Sequence, residues 1–139
     1  SITKIVAGLP EAKILQSIPG VGPVYSAGII AEIGNISRFN DEAKLAKYAG
    51  LAWRQKESGD FNSEHTPRLR TGNAYLRYYL VEAANLIRLR DPVFAKYYRK
   101  KYDEATFSPH KRACILCARK LSRTIFTLLK NGQIYQTPR

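Results

Sequence analysis

Three observations on this chain of 139 residues predict a mainly all-α fold. Apolar residues recur at helical spacing in several segments, most clearly in the last third of the chain. Those segments open on residues suited to a helix start: Pro10, Pro23, Asp41, Asn73, Asp91-Pro92 and Ser108-Pro109. Between residues 50 and 67 every helical pattern stops. The expected architecture is one compact helical domain over residues 1–135, with a tail at 136–139. It holds one long functional loop at about 50–70, with room for a short β-hairpin around Leu51–Arg54.

The first two helices are Pro10 to Ser17 and Val24 to Ile33, the second ending at Gly34-Asn35. Between them lies Ile18-Pro19-Gly20-Val21-Gly22-Pro23. Gly20 and Gly22 let the backbone turn tightly and leave no side chains over the turn. Pro23 suits a first helical turn, where its missing N–H costs nothing. The product is a set of bare N–H groups at a positively polarised helix start, which is a ready anion site. Residues 10–34 therefore read as a helix-hairpin-helix, a module that grips a DNA phosphate without reading bases. The plain alternative is an ordinary tight turn.

Asp41 caps a helix running to about Tyr48, with Lys44 and Lys47 outward and Leu45 and Tyr48 inward. After the loop, a helix begins near Thr71-Gly72-Asn73 and buries Leu76, Leu80, Ala83 and Ile87. Asp91-Pro92 starts another, to about Glu104, with Phe94, Tyr97, Tyr98 and Tyr102 among Lys96, Arg99, Lys100 and Lys101. In the last helix, at about 100° per residue, Cys114, Cys117, Leu121, Ile125 and Leu128 line one side. Arg112, Arg119, Arg123 and Lys130 line the other. Gly132 and Pro138 mark the expected end of order.

Charge is strongly divided along the chain. Residues 1–65 hold seven Lys/Arg and seven Asp/Glu, whereas 66–139 hold sixteen against four and carry the whole net charge of +12. A polyanionic partner for the second half follows. No transmembrane run is present, and the basic helices carry Tyr rather than a clean apolar face, which argues against a membrane partner. Cys114 and Cys117 form one C-x-x-C without a second pair, and their place on the apolar stripe makes them core residues of a reducing compartment. The chain opens on Ser1 and holds no Met, so the expectation is a piece of a longer protein.

The loop and the following helix form a second constellation: Tyr48-Ala49-Gly50-Leu51, Arg54-Gln55, Ser58-Gly59, Arg70-Thr71-Gly72-Asn73 and Leu76-Arg77. A Ser followed by Gly presents its hydroxyl with no side chain beside it, and arginines nearby can hold a phosphate. No base is evident: His65 and His110 stand alone, with no His-Asp pair. Asp60 and Glu64 read as solvated loop acids, so no metal is assigned to this chain. Helix tyrosines (Tyr75, Tyr78, Tyr79, Tyr97, Tyr98) read as core or as stacking platforms for nucleic acid. A tyrosine nucleophile would need an Arg-His-Arg arrangement, which is lacking.

The order IPGVGPVYSAGIIAEIG, RF, LAKYAGL, RQ, SG, RTGN-YLR and HKRA-ARKL-LLK, over about residues 10–135, resembles the C-terminal domain of the Piv/MooV-type insertion-sequence transposases. Those proteins pair an N-terminal four-carboxylate (DEDD) RuvC-like domain with a serine-bearing one. The resemblance implies a DNA transposase or recombinase whose serine forms a covalent 5′-phosphoserine link to DNA. It further implies Mg2+ in the DEDD domain, a bridge RNA that pairs with target and donor DNA, and a dimer or tetramer in the bacterial or archaeal cytoplasm at the nucleoid.

Carried over by position, the family Ser-Gly falls on Ser58-Gly59, and Ser63 competes for the role. Glu57 stands where a second serine is common, Arg70 where a Lys is usual, and Trp53 where a Pro is common. Arg54, Arg70, Asn73, Arg77, Arg112, Arg119 and Arg123 join Gly20 and Gly22 as candidate nucleic-acid contacts. The competing reading is a non-catalytic helix-hairpin-helix module in which Ser58 is idle. Either reading predicts that DNA affinity falls steeply with salt, by about a factor of 1,000 or more between 50 and 200 mM if six or more phosphates are held. A titration of affinity against salt checks this, and a flat response removes the basic face from binding.

Overall fold

The computed structural model describes residues 5, 6, 8–52 and 72–137. Ser58, Ser63, Arg54 and Arg70 lie outside them, as do Trp53, Glu57, Gly59, Asp60, Glu64 and His65. The described residues form six α-helices and one 3-10 turn, with no strand. The expected hairpin around Leu51–Arg54 has no strand at Leu51 or Ala52, and its other half is outside the described residues. No helix among the described residues is long and apolar enough to cross a membrane.

Helix α1 spans Pro10–Gln16 and α2 spans Pro23–Ile33, each with a proline in its first turn. The intervening turn is anchored from below by Ile18 and Val21, both buried. Gly20 has φ +95°, and a Cβ there would lie 2.9 Å from the backbone nitrogen of Ile87. Only glycine fits both the dihedral and the contact. A 3-10 turn, Ile36–Arg38, is capped by the Asn35 side chain and leads to α3, Glu42–Tyr48. The Asp41 carboxylate accepts from the Lys44 amide at 2.9 Å and caps α3 as its sequence predicts.

Helix α3 ends in a Schellman motif. Gly50, at φ +73°, donates to the Lys47 carbonyl, and Leu51 donates to Ala46 at 2.8 Å. Helix α4, Ala74–Ile87, starts against that motif, capped by Asn73. Helix α5, Pro92–Glu104, is capped by Asp91, which is buried yet satisfied, since it accepts from the Phe94 amide and the Tyr135 hydroxyl. Helix α6, Pro109–Asn131, ends at Gly132 in the left-handed region.

The 23-residue α6, about 34 Å long at 1.5 Å per residue, is the central element. It packs against α3, α4 and α5 and touches α1 and the 3-10 turn. The stripe Cys114, Cys117, Leu121, Ile125 and Leu128 is buried as expected, but so are Ala113, Leu116, Ala118 and Ser122. Small residues on those further sides let several helices approach one helix closely. Cys114 and Cys117 are buried free thiols, and burial pushes the Cys117 thiol up to about 12.

Gly132 ends α6, but the chain beyond it still packs on the fold. The Tyr135 amide donates to Ser17 Oγ at 2.8 Å and its hydroxyl to Asp91 at 2.9 Å, so the chain after α6 ties α1 to the start of α5. Sequence periodicity is blind to such a strap because it has no repeat.

At Gly72, φ is +124°, and a Cβ would lie 2.6 Å from Gly50 N and 2.7 Å from the Tyr48 carbonyl. Replacing Gly72 by Ala is expected to cost about 3 kcal/mol of unfolding free energy, from the dihedral and the backbone clash together. Urea denaturation of the Gly72→Ala chain measures it, and a loss below about 1 kcal/mol would show that the contact yields.

Candidate nucleic-acid interface

The stretch bearing Ser58 leaves the described structure after Ala52 and returns at Gly72, and its two stems are fastened together. Asn73 donates its amide to the Tyr48 carbonyl at 2.6 Å. Its side-chain NH2 donates to Glu32 Oε1 at 2.8 Å and to the Tyr48 hydroxyl at 3.2 Å, while its Oδ1 accepts from the Leu76 amide at 2.9 Å. The Tyr48 hydroxyl donates in turn to the Glu32 carbonyl. Both Asn73 side-chain donors and its acceptor therefore serve the fold. Arg38 stacks its guanidinium on the rings of Tyr48 and Phe39, at 4.9 and 5.0 Å, and closes the platform from beneath.

Arg77 stands one turn into α4, its guanidinium 3.5 Å from the Ala49 carbonyl, so its charge lies beside the end of α3. At the other end of α4 sits the turn between α1 and α2. Gly20 faces inward, against Leu86 and Ile87, whereas an added Cβ at Gly22 would meet nothing within 4 Å among the described residues. Gly22 caps α2 in extended backbone, at φ −87°. Its bareness thus serves neither a dihedral nor an internal contact. The hollow over this turn, about 450 Å3, is lined by Gly20, Gly22, Pro23 and, from beyond α4, Arg90. Sequence reading passed over Arg90 because it lies far along the chain from the turn that it flanks.

The basic side of α6 divides. Arg119 pairs with Glu42 of α3 at 2.6 Å, and Arg123 approaches the same carboxylate at 3.7 Å. Arg119 therefore joins α3 to α6, a use that its helical position alone does not reveal. Arg123 remains largely exposed, and Arg112 is half-exposed on the first turn of α6. Lys120 lies over the rings of Phe94 and Tyr97, at 5.5 and 5.1 Å, and Arg88 over Tyr98 at 4.3 Å. Part of the positive charge is thus held on aromatic faces between α4, α5 and α6.

His110 does not stand alone, contrary to the reading from sequence. Its Nδ1 is 2.7 Å from the Tyr98 hydroxyl and its Nε2 is 3.6 Å from Cys114 Sγ. The first contact joins α5 to α6, and the second lies within α6, one turn along. Among the described residues no group of three or more His, Cys, Asp or Glu side chains could hold a metal ion.

The family described as Transposase IS116/IS110/IS902 matches residues 12–99. The chain is 31% identical to the insertion element IS110 43.6 kDa protein of Streptomyces coelicolor, over 98% of this chain and 33% of that protein. It is 28% identical to a transposase for insertion sequence element IS1111A of Coxiella burnetii, over 91% of this chain and 35% of the relative. The pilin gene-inverting protein of Moraxella bovis is also 28% identical, over 88% of this chain and 38% of its own. The chain therefore spans about a third of the length of the curated relatives it matches.

The Glu42–Arg119 contact also fixes a pH response. The hydrogen bond from Arg119 holds the Glu42 carboxyl below its ordinary value of 4.5. A carboxylate lowered by folding contributes stability that is complete above its unfolded value and disappears as pH falls through its folded value. The gap in Tm between the native chain and Glu42→Gln should be widest at neutral pH and close as pH drops below 4.5. Parallel melting curves at every pH would remove Glu42 from the α3–α6 contact.

Proposed function

The chain belongs to the Transposase IS116/IS110/IS902 family, and we propose that it is the part of a transposase that binds DNA and supplies Ser58 as nucleophile. The observation that carries this reading is the closed stem at Tyr48 and Asn73, because a nucleophile on a long loop needs rigid ends to be aimed. The names of the relatives, transposases and pilin gene-inverting proteins, describe DNA rearrangement and fit it.

In this reaction Ser58 Oγ forms a bond to the phosphorus of a DNA phosphodiester while the bond from phosphorus to the 3′-oxygen breaks. The serine proton passes, in net balance, to the departing 3′-oxygen, leaving a 5′-phosphoserine and a free 3′-hydroxyl. Arg77, with Arg54 and Arg70 of the Ser58-bearing stretch, would hold the non-bridging oxygens and stabilise charge as it develops. Mg2+ bound by a DEDD domain elsewhere in the full protein would polarise the phosphoryl group when present. The turn at Gly20 and Gly22 acts as a helix-hairpin-helix, offering the amides at the start of α2 to a neighbouring phosphate, with Arg90 beside it. Arg112 and Arg123 extend the backbone contacts. Element ends and target DNA, a bridge RNA and a dimer or tetramer of the full protein complete the proposed assembly, acting in the cytoplasm at the nucleoid.

The reading of a binding module alone draws support from Gly22, whose openness suits phosphate approach without any chemistry. The two readings separate on a nicked suicide DNA incubated with the full-length protein, Mg2+ and guide RNA. Intact mass and peptide mapping should find a DNA adduct on Ser58, lost in Ser58→Ala and kept in Ser63→Ala. Cleavage without any adduct would assign the chemistry to another domain, and an adduct on Ser63 would move the nucleophile.

A further inference from the structure

Of the five helix tyrosines named from sequence, the structure buries Tyr98 and half-buries Tyr79 and Tyr97. It leaves Tyr75 71% and Tyr78 57% exposed, one turn apart on α4. Tyr78 stands on the rim of a cleft of about 490 Å3 between α4 and the first turns of α6. Val81, Ile115 and Cys114 form an apolar floor, while Arg77 from α4 and Lys111 from α6 put a cation on each wall. We propose that this cleft binds one unpaired nucleotide of single-stranded DNA, with the base stacked on Tyr78 over the apolar floor and its phosphate held between Arg77 and Lys111.

The chemistry of the cleft favours that occupant. An apolar floor beneath an exposed ring suits a flat base, and stacking of this kind tolerates every base. Cations on opposing walls suit the phosphate that must stay in solvent when the base turns inward. Glu82, also lining the cleft, would repel a phosphate placed deep but accepts from the exocyclic amino groups of bases. Its carboxylate lies beside the Tyr78 hydroxyl and raises that group above its ordinary value. A paired base cannot enter a cleft of this shape unless it is turned out of the duplex. The choice of DNA rests on the proposed transposase reading, since the cleft starts at Ala74, two residues after Gly72, where the described chain resumes beyond Ser58.

Fluorescence anisotropy at fixed salt, with labelled oligo-dT, a duplex and oligo-U, tests the site on this chain. Tyr78→Ala and Lys111→Glu, both at exposed positions, should each lower affinity for oligo-dT by about ten-fold while duplex affinity for Tyr78→Ala stays within about two-fold. An equal loss on duplex, no loss on oligo-dT, or a preference for oligo-U with the same sensitivity would each overturn the assignment. Failure to find an adduct on Ser58 would then remove the nucleophile without touching this result, and a failed anisotropy test would leave the nucleophile standing.

Discussion

The approach of two backbone segments at Gly50 and Gly72 is the constraint on which the arrangement of sites depends. No side chain fits between them, because a single Cβ at Gly72 would overlap both Gly50 and the Tyr48 carbonyl. Once they meet, the Asn73 amide reaches that carbonyl and its side chain reaches Glu32, so α2, α3 and the start of α4 are fixed in one operation. The direction of α4 follows. At about 20 Å for its 14 residues, it joins the loop stem at one end to the turn at Gly20 at the other.

That geometry makes α4 the shared support of the stem at Asn73, the cleft and the turn at Gly20. Its N-terminus holds the stem of the stretch bearing Ser58, its middle forms one wall of the cleft, and its last residue packs on Gly20. The central α6 supplies the opposite wall and, through Lys111, the opposing charge.

Net charge alone overstates what is offered to a polyanion. Arg119 is joined to Glu42, Arg88 and Lys120 lie on aromatic rings, and these contacts join helices to one another. A cation over a ring keeps its charge and still contributes to the long-range field. It is less able to form the directional bonds that position a phosphate. Arg77, Lys111 and Arg90, placed at the edges of hollows, are better set for that task.

The sequence by itself determined the helices. Asp41 and Asp91 open α3 and α5 as expected, α4 starts close to the expected Thr71-Gly72-Asn73, and Leu76, Leu80, Ala83 and Ile87 are buried as their spacing requires. Capping and periodicity act over a few residues, so they can be read along the chain. The family resemblance was likewise legible, because motif order is a property of the sequence. Only the tertiary structure decided which polar groups the fold itself uses. Asn73 meets Glu32 from 41 residues away and Arg119 meets Glu42 from 77 away. His110 finds Tyr98, and Tyr135 returns to Ser17, by the same kind of encounter. It alone distinguished Gly20, glycine because a helix lies against it, from Gly22, whose missing side chain faces open space. No local pattern encodes such contacts, since each depends on where a distant segment comes to rest.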